Sequence, residues 1–157
     1  MSGHIIALYS SKGGVGKSFI AANLAVDLCL DNKEKILLID FGCPFSCDIG
    51  HLLKLKDIKR LDGLLPMADK LHPGMLKGYA TGHGSGIFIL NLSDGFRDLD
   101  DSLLNPHNIA RVMACLQSVY TYIIIDIGTK FDPVVEAIFD KSSMILLPVI
   151  PDVLSLN

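Results

Sequence analysis

The stretch Ser11-Lys12-Gly13-Gly14-Val15-Gly16-Lys17-Ser18 constrains this chain more than any other. An apolar run from His4 to Ser10 precedes it and reads as a buried strand, and Phe19 to Leu28 follows and reads as a helix. Strand, glycine-rich turn and helix, with Gly-Lys-Ser at the helix mouth, is the context of a phosphate-binding loop. Glycines let successive backbone N–H groups point at an anion without Cβ clashes. The free N–H groups and dipole of the first helical turn extend that nest. Lys17 can reach terminal phosphate oxygens as a point charge, and the Ser18 hydroxyl is the expected magnesium ligand. Gly13, Gly14, Val15, Gly16 and Phe19 complete the expected contact. The competing reading, a tight turn that merely joins strand to helix, leaves the lysine and serine at those positions without a reason. The usual pattern has glycine where this chain has Ser11, and a second lysine, Lys12, follows at once.

Two further apolar runs, Lys35 to Asp40 and Tyr122 to Asp126, read as strands covered on both faces, and each ends on a carboxylate. Ligands of open α/β sheets sit at the carboxyl ends of strands. Asp40 is therefore expected to face the bound anion and its metal, and Asp126 to hold magnesium directly or through water. Between these strands, Asp48 to Leu53 opens a short helix, and Ile58 to Leu71 has helical spacing interrupted by Pro66. His72 to Gly86 is loop with at most one helical turn, Gly86 to Asn91 is a strand, and Ser93 to Asn105 is an acidic loop. Asn105-Pro106 starts a helix reaching about Val119 with Ile109, Val112, Met113 and Leu116 buried; Asp132-Pro133 caps the next, and Ser143 to Ile150 is another buried strand. The order β-α-β-loop-β-α-β-α-β predicts an α/β fold: three layers, with a mostly parallel, doubly wound sheet covered by helices on both faces.

Composition narrows the function. The 157 residues suit one domain, and half of them are hydrophobic, enough for a real core. A net charge of −3 carries no footprint of nucleic-acid binding, and no apolar stretch reaches the length of a membrane span. The first strand begins almost at the initiator methionine, so no secretory signal is expected. Of the four cysteines, Cys29 and Cys115 fall on apolar helix faces and are expected to be core thiols. Cys43 and Cys47 form a lone C-x-x-x-C, too few ligands for zinc or a cluster. A reduced cytoplasmic protein fits best. The five histidines, His51 included, show no ligand spacing and read as surface or loop residues.

The string Lys12 to Ser18 resembles the deviant phosphate loop of the MinD/ParA family of ATPases, and the resemblance spans nearly the whole chain. It implies a P-loop NTPase fold, ATP/ADP and Mg2+ as ligands, and an ATP-dependent homodimer in which Lys12 crosses to the partner's nucleotide. Lys12, Lys17 and Asp40 then carry catalysis; Ser18, Asp40 and Asp126 hold the metal; and Pro151 and Asp152 belong to a loop that packs on adenine. Lys35 to Asp48 looks like switch I and Asp126-Ile127-Gly128 like the start of switch II. Phe45 to Leu53 and the strand from Gly86 look most like the CpaE/TadZ branch, which helps localise pilus or flagellar machinery at defined cell sites. The implied role is nucleotide-switched positioning of such machinery or of a partition apparatus. The implied location is cytoplasmic, with room for peripheral attachment at a cell pole or membrane through an unknown protein partner.

Two departures qualify the resemblance. Family members carry Asp-x-Asp after the second strand, and the second carboxylate positions the attacking water; here the segment is Asp40-Phe41-Gly42. Hydrolysis is expected to be slow or absent while binding survives. The family also continues well beyond the position of Asn157, so residues 1–157 are expected to be a nucleotide-binding domain truncated at its C-terminal end. Two readings follow: a dimeric positioning ATPase, or a non-hydrolysing scaffold that uses nucleotide as structural glue. A small-molecule kinase or synthase would need an acceptor constellation that the sequence does not display.

Overall fold

A computed structural model describes residues 2–32, 34–42, 48–92 and 102–151. Along the chain run β1 (His4–Leu8), α1 (Lys17–Asn32), β2 (Ile36–Phe41), α2 (Asp48–Leu52), β3 (Thr81–Gly82), β4 (Phe88–Asn91), α3 (Pro106–Gln117), β5 (Tyr122–Ile127), α4 (Pro133–Lys141) and β6 (Met144–Leu146). They build one six-stranded sheet in the order β3-β4-β2-β5-β1-β6. All neighbours are parallel except β3, which pairs antiparallel to β4. β5 lies between β1 and β2, so these two early strands never touch.

The strands alternate between two apolar layers, as the pleat requires. Ile39, Ile123 and Ile125 face α3, α4 and the segment around Leu64. Leu38, Ile124 and Ile89 face α1 and Ile49 of α2. Both faces of β2 and β5 are covered, which explains why their apolar runs are nearly continuous. Each fully buried side chain of this kind contributes roughly 1.5–3 kcal/mol.

Local chemistry sets the helix ends. Asn105 Oδ1 accepts from the Asn108 N–H at 2.9 Å, and Pro106 occupies the first turn, where its missing N–H is harmless. The four positions expected to be buried on α3, Ile109, Val112, Met113 and Leu116, are buried. At α4, Asp132 Oδ1 accepts from the Val134 and Val135 N–H groups, both at 3.0 Å. Asp132→Ala is expected to cost about 1 kcal/mol and to lower the melting temperature by about 2–4 °C, read by thermal unfolding without ligand. The Lys130–Asp132 contact at 3.2 Å is exposed on the lysine side and adds little to that loss.

Four expectations need correction. The helical spacing around Pro66 forms a 3₁₀ segment, Leu61–Lys70, rather than an α-helix; Pro66 has no N–H to offer the carbonyl four residues back, and its ring crowds that carbonyl. The loop after it contains one 3₁₀ turn, Pro73–Leu76, as expected, but also the two-residue β3, too short to carry a periodic signal. The last strand spans only Met144–Leu146 and is not buried. It pairs with β1 on one side and lies at the sheet edge, leaving Met144 53% and Ile145 41% exposed. Cys29 and Cys115 are half-buried rather than core, although burial still raises the Cys115 thiol above its ordinary range. Cys43, Cys47 and Asp94 to Asp101 of the acidic loop lie outside the described residues.

Candidate nucleotide site

β1 delivers the chain to the carboxyl end of the sheet, and α1 begins at Lys17, two residues earlier than the apolar pattern indicated. Between them Gly14 and Gly16 adopt φ of +74° and +88°. Only glycine takes such angles without strain. A Cβ placed on Gly13, Gly14 or Gly16 would meet nothing within 4 Å, so the loop is open above these residues. The helix continues back into the loop through Ile20 N–H donating to the Gly16 carbonyl at 2.9 Å. No acidic residue stands in the first turn of α1, so its positive end is left for an outside anion.

β2 and β5 place two carboxylates beside this loop. Asp40 and Asp126 are direct register partners on neighbouring strands and share the face that α1 covers. Each is only 3% exposed. Asp40 Oδ1 accepts from the Gly42 N–H at 3.2 Å, and Oδ2 from the Ile49 N–H at 3.3 Å. Two carboxylates held side by side in a mostly buried setting repel each other unless a cation joins them. This donor set, all oxygen with the Ser18 hydroxyl on the same cavity, fits a hard divalent cation such as magnesium.

The loop and the strand ends enclose a cavity of about 730 Å³, within the usual range for small-molecule sites. Gly13, Gly14, Gly16, Lys17, Ser18 and Phe19 line one part of it, and Asp40 and Asp126 another. Val15 is half-buried and not on the wall. Lys12 is exposed beside the loop, also off the wall, with its N–H donating to Ser10 Oγ at 3.3 Å. Pro151 is exposed and not among the wall residues, and Asp152 lies outside the described residues. The wall also includes Gly42, Ile127 and Gly128 from the two switch-like segments. His51, Leu52 and Thr129 were not foreseen. Their only signal was adjacency to those segments; His51 and Leu52 come to the wall with α2, whose Ile49 N–H donates to Asp40.

A glycine nest at a helix mouth, paired with acidic strand ends in a doubly wound sheet, defines the P-loop NTPase class. Residues 2–75 match the ParA family, described as NUBPL iron-transfer P-loop NTPase. Over 155 residues the chain is 28% identical to the septum site-determining protein MinD of Helicobacter pylori (strain ATCC 700392 / 26695), covering 98% of this chain and 55% of that protein. The ParA family ATPase from Chlorobium tepidum TLS superposes with a TM-score of 0.85 at 23% identity, covering 99% of this chain and 63% of that one. The septum site-determining protein MinD from Pyrococcus horikoshii OT3, complexed with Mg-ADP, superposes with a TM-score of 0.74 at 22% identity, covering 98% and 60%. Residues 2–75 are similar to the ParA family, and the whole chain has the P-loop NTPase fold seen in ParA and MinD proteins. It spans about half the length of the curated relative it matches.

Proposed function

We propose that this domain binds ATP and ADP with magnesium and works as a nucleotide-dependent dimeric switch in the spatial positioning of cellular machinery. The observation that carries the reading is the alignment of Asp40 and Asp126, both buried, beside the open loop of Gly13 to Ser18 in one cavity. The loop amides and Lys17 hold the phosphates, and Ser18, Asp40 and Asp126 hold the cation directly or through water. Magnesium, when bound, neutralises charge on the terminal phosphate oxygens. Asp40 also braces the backbone around it. Its two oxygens tie Gly42 and α2 to the end of β2, so a change at the cation reaches both.

The machinery served would be a pilus, a flagellum or a partition apparatus, reached through a protein partner at a cell pole or membrane. The CpaE/TadZ likeness favours the first two, though Phe45, Ser46 and Cys47 of that likeness lie outside the described residues. No helix among the described residues is long and apolar enough to cross a membrane. The second reading, a scaffold that binds nucleotide without hydrolysing it, is favoured by Gly42, which meets the cavity with no side chain. Phosphate release by the purified protein with magnesium and ATP, measured beside a nucleotide titration on the same sample, separates the two. Binding with turnover supports the switch, binding without turnover supports the scaffold, and no binding sinks both.

Lys12 tests the dimer. It lies exposed beside the loop and off the cavity wall, and the likeness to the MinD/ParA loop supplies its intersubunit role. Lys12→Ala is expected to leave monomer nucleotide affinity nearly unchanged and to reduce dimer formation with a non-hydrolysable ATP analogue. An unchanged monomer–dimer ratio in sedimentation counts against the intersubunit role.

A further inference from the structure

Part of the cavity wall comes neither from the phosphate loop nor from the acidic strand ends. α2 supplies it through His51 and Leu52. The short helix is well anchored. Ile49 is fully buried in the apolar layer with Ala21 and Ala25 of α1, and its N–H donates to Asp40 Oδ2. Leu53, Lys54 and Leu55 donate back to the carbonyls of Ile49, His51 and Gly50 and close its C-terminal turn. The other oxygen of Asp40 takes the Gly42 N–H. Gly42 and Ile49 thus hang on one carboxylate, and Gly42 and the exposed His51, two residues after Ile49, meet one cavity, the first without a side chain and the second with an imidazole.

The remaining polar side chains of the wall divide by position. Lys17, Ser18, Asp40 and Asp126 are those that fit phosphates and cation. The Thr129 hydroxyl follows β5, beyond Asp126. His51 shares the Asp40 frame with Gly42, and a neutral imidazole nitrogen is a stronger acceptor than a hydroxyl.

We infer that His51 orients the attacking water in this cavity, in the place that Gly42 leaves without a side chain. The inference rests on the ATPase reading above. The imidazole nitrogen accepts a hydrogen bond from water lined up with the terminal phosphoryl group. The water oxygen bonds to phosphorus as the bond from phosphorus to the bridging oxygen of ADP breaks. The protons of that water leave on phosphate and in solvent, so the imidazole ends as it began. One neutral hydrogen bond is a modest device, so the turnover it supports is expected to be slow.

The test uses the purified chain with magnesium and ATP, single-turnover phosphate release and a binding titration. His51→Ala is expected to lower the hydrolysis rate about five- to tenfold, the size of one hydrogen bond, with ATP and ADP affinities held within about twofold. His51→Gln, whose carboxamide oxygen also accepts, is expected to recover at least half of the loss. Intact binding with equal rates for wild type and His51→Ala overturns the inference and leaves the nucleotide reading standing. So does a wild-type rate no higher than spontaneous hydrolysis. A fall in affinity as large as the fall in rate, with no recovery in His51→Gln, shows a binding or structural role and overturns it too. Absence of nucleotide binding by the wild type overturns both.

Discussion

Lys17→Ala will weaken ATP and ADP binding at least tenfold, about 1.4 kcal/mol. Lys17 is the first residue of α1 and, half-buried, lines the same cavity as the two buried carboxylates. Charge-assisted hydrogen bonds of the kind it would make to phosphate contribute roughly 1.5–3 kcal/mol each. Removing the cation also leaves phosphate oxygens facing Asp40 and Asp126 with one positive charge fewer. The same change should not harm the fold. A lysine at a helix N-terminus opposes the helix dipole, and alanine is the better helix former. The variant should therefore melt no earlier than wild type without nucleotide, while titration calorimetry shows the lost affinity. Equal affinities for the two proteins would remove Lys17 from the site; a fall in melting temperature matching the lost affinity would trace the effect to folding.

Wild-type hydrolysis is expected to be slower by ~10²-fold or more than that of a site with a fully positioned water, and Gly42→Asp to raise it. Phosphoryl transfer to water asks the protein for charge neutralisation and for an in-line nucleophile. The first is available from Lys17, Ser18 and the cation that Asp40 and Asp126 fit. The second meets Gly42, which lines the cavity but has no side chain. The backbone there permits a replacement: Gly42 does not adopt a left-handed φ, and an added Cβ would lie 3.2 Å from Asp40 Oδ1. That contact is tight by a few tenths of an ångström and involves a side chain already hydrogen-bonded to the Gly42 N–H. Phosphate release under saturating magnesium and ATP is the measurement. A wild-type rate on the order of 1 s⁻¹ or faster would show that Gly42 imposes no deficit, and a Gly42→Asp variant that folds, binds and turns over no faster would show the same.

Much of this site was legible because its chemistry is local. Gly13 to Ser18 announce themselves by type and spacing, and Asp40 and Asp126 by ending apolar runs. Their side-by-side register was not legible, since it depends on β5 entering between β1 and β2. His51 carried no pattern at all: what brings it to the cavity is a hydrogen bond between Ile49 and a residue nine positions earlier. The misread elements have similar causes. The spacing around Pro66 suits either an α-helix or a 3₁₀ segment, and the proline decides. An apolar run such as Ser143 to Ile150 reports hydrophobicity but not whether a second strand lies beside it.

The position of β5 also orders events during synthesis. The phosphate loop, α1 and β2 emerge from the ribosome early, yet the strand that joins β1 to β2 arrives only with residues 122–127. Until then β2 can pair only with β4, β1 has no strand beside it, and Asp126 is missing from the cavity wall. Closing this gap spans a long stretch of chain, which makes it a slow step. The site that nucleotide would occupy stays incomplete until Asp126 to Thr129 join its wall. Once β5 has inserted, ligand at a hundred times its dissociation constant adds about 2.7 kcal/mol to the closed sheet alone. Nucleotide would thus act late in the closing of this sheet, and a chain interrupted before Asp126 would gain less protection from it.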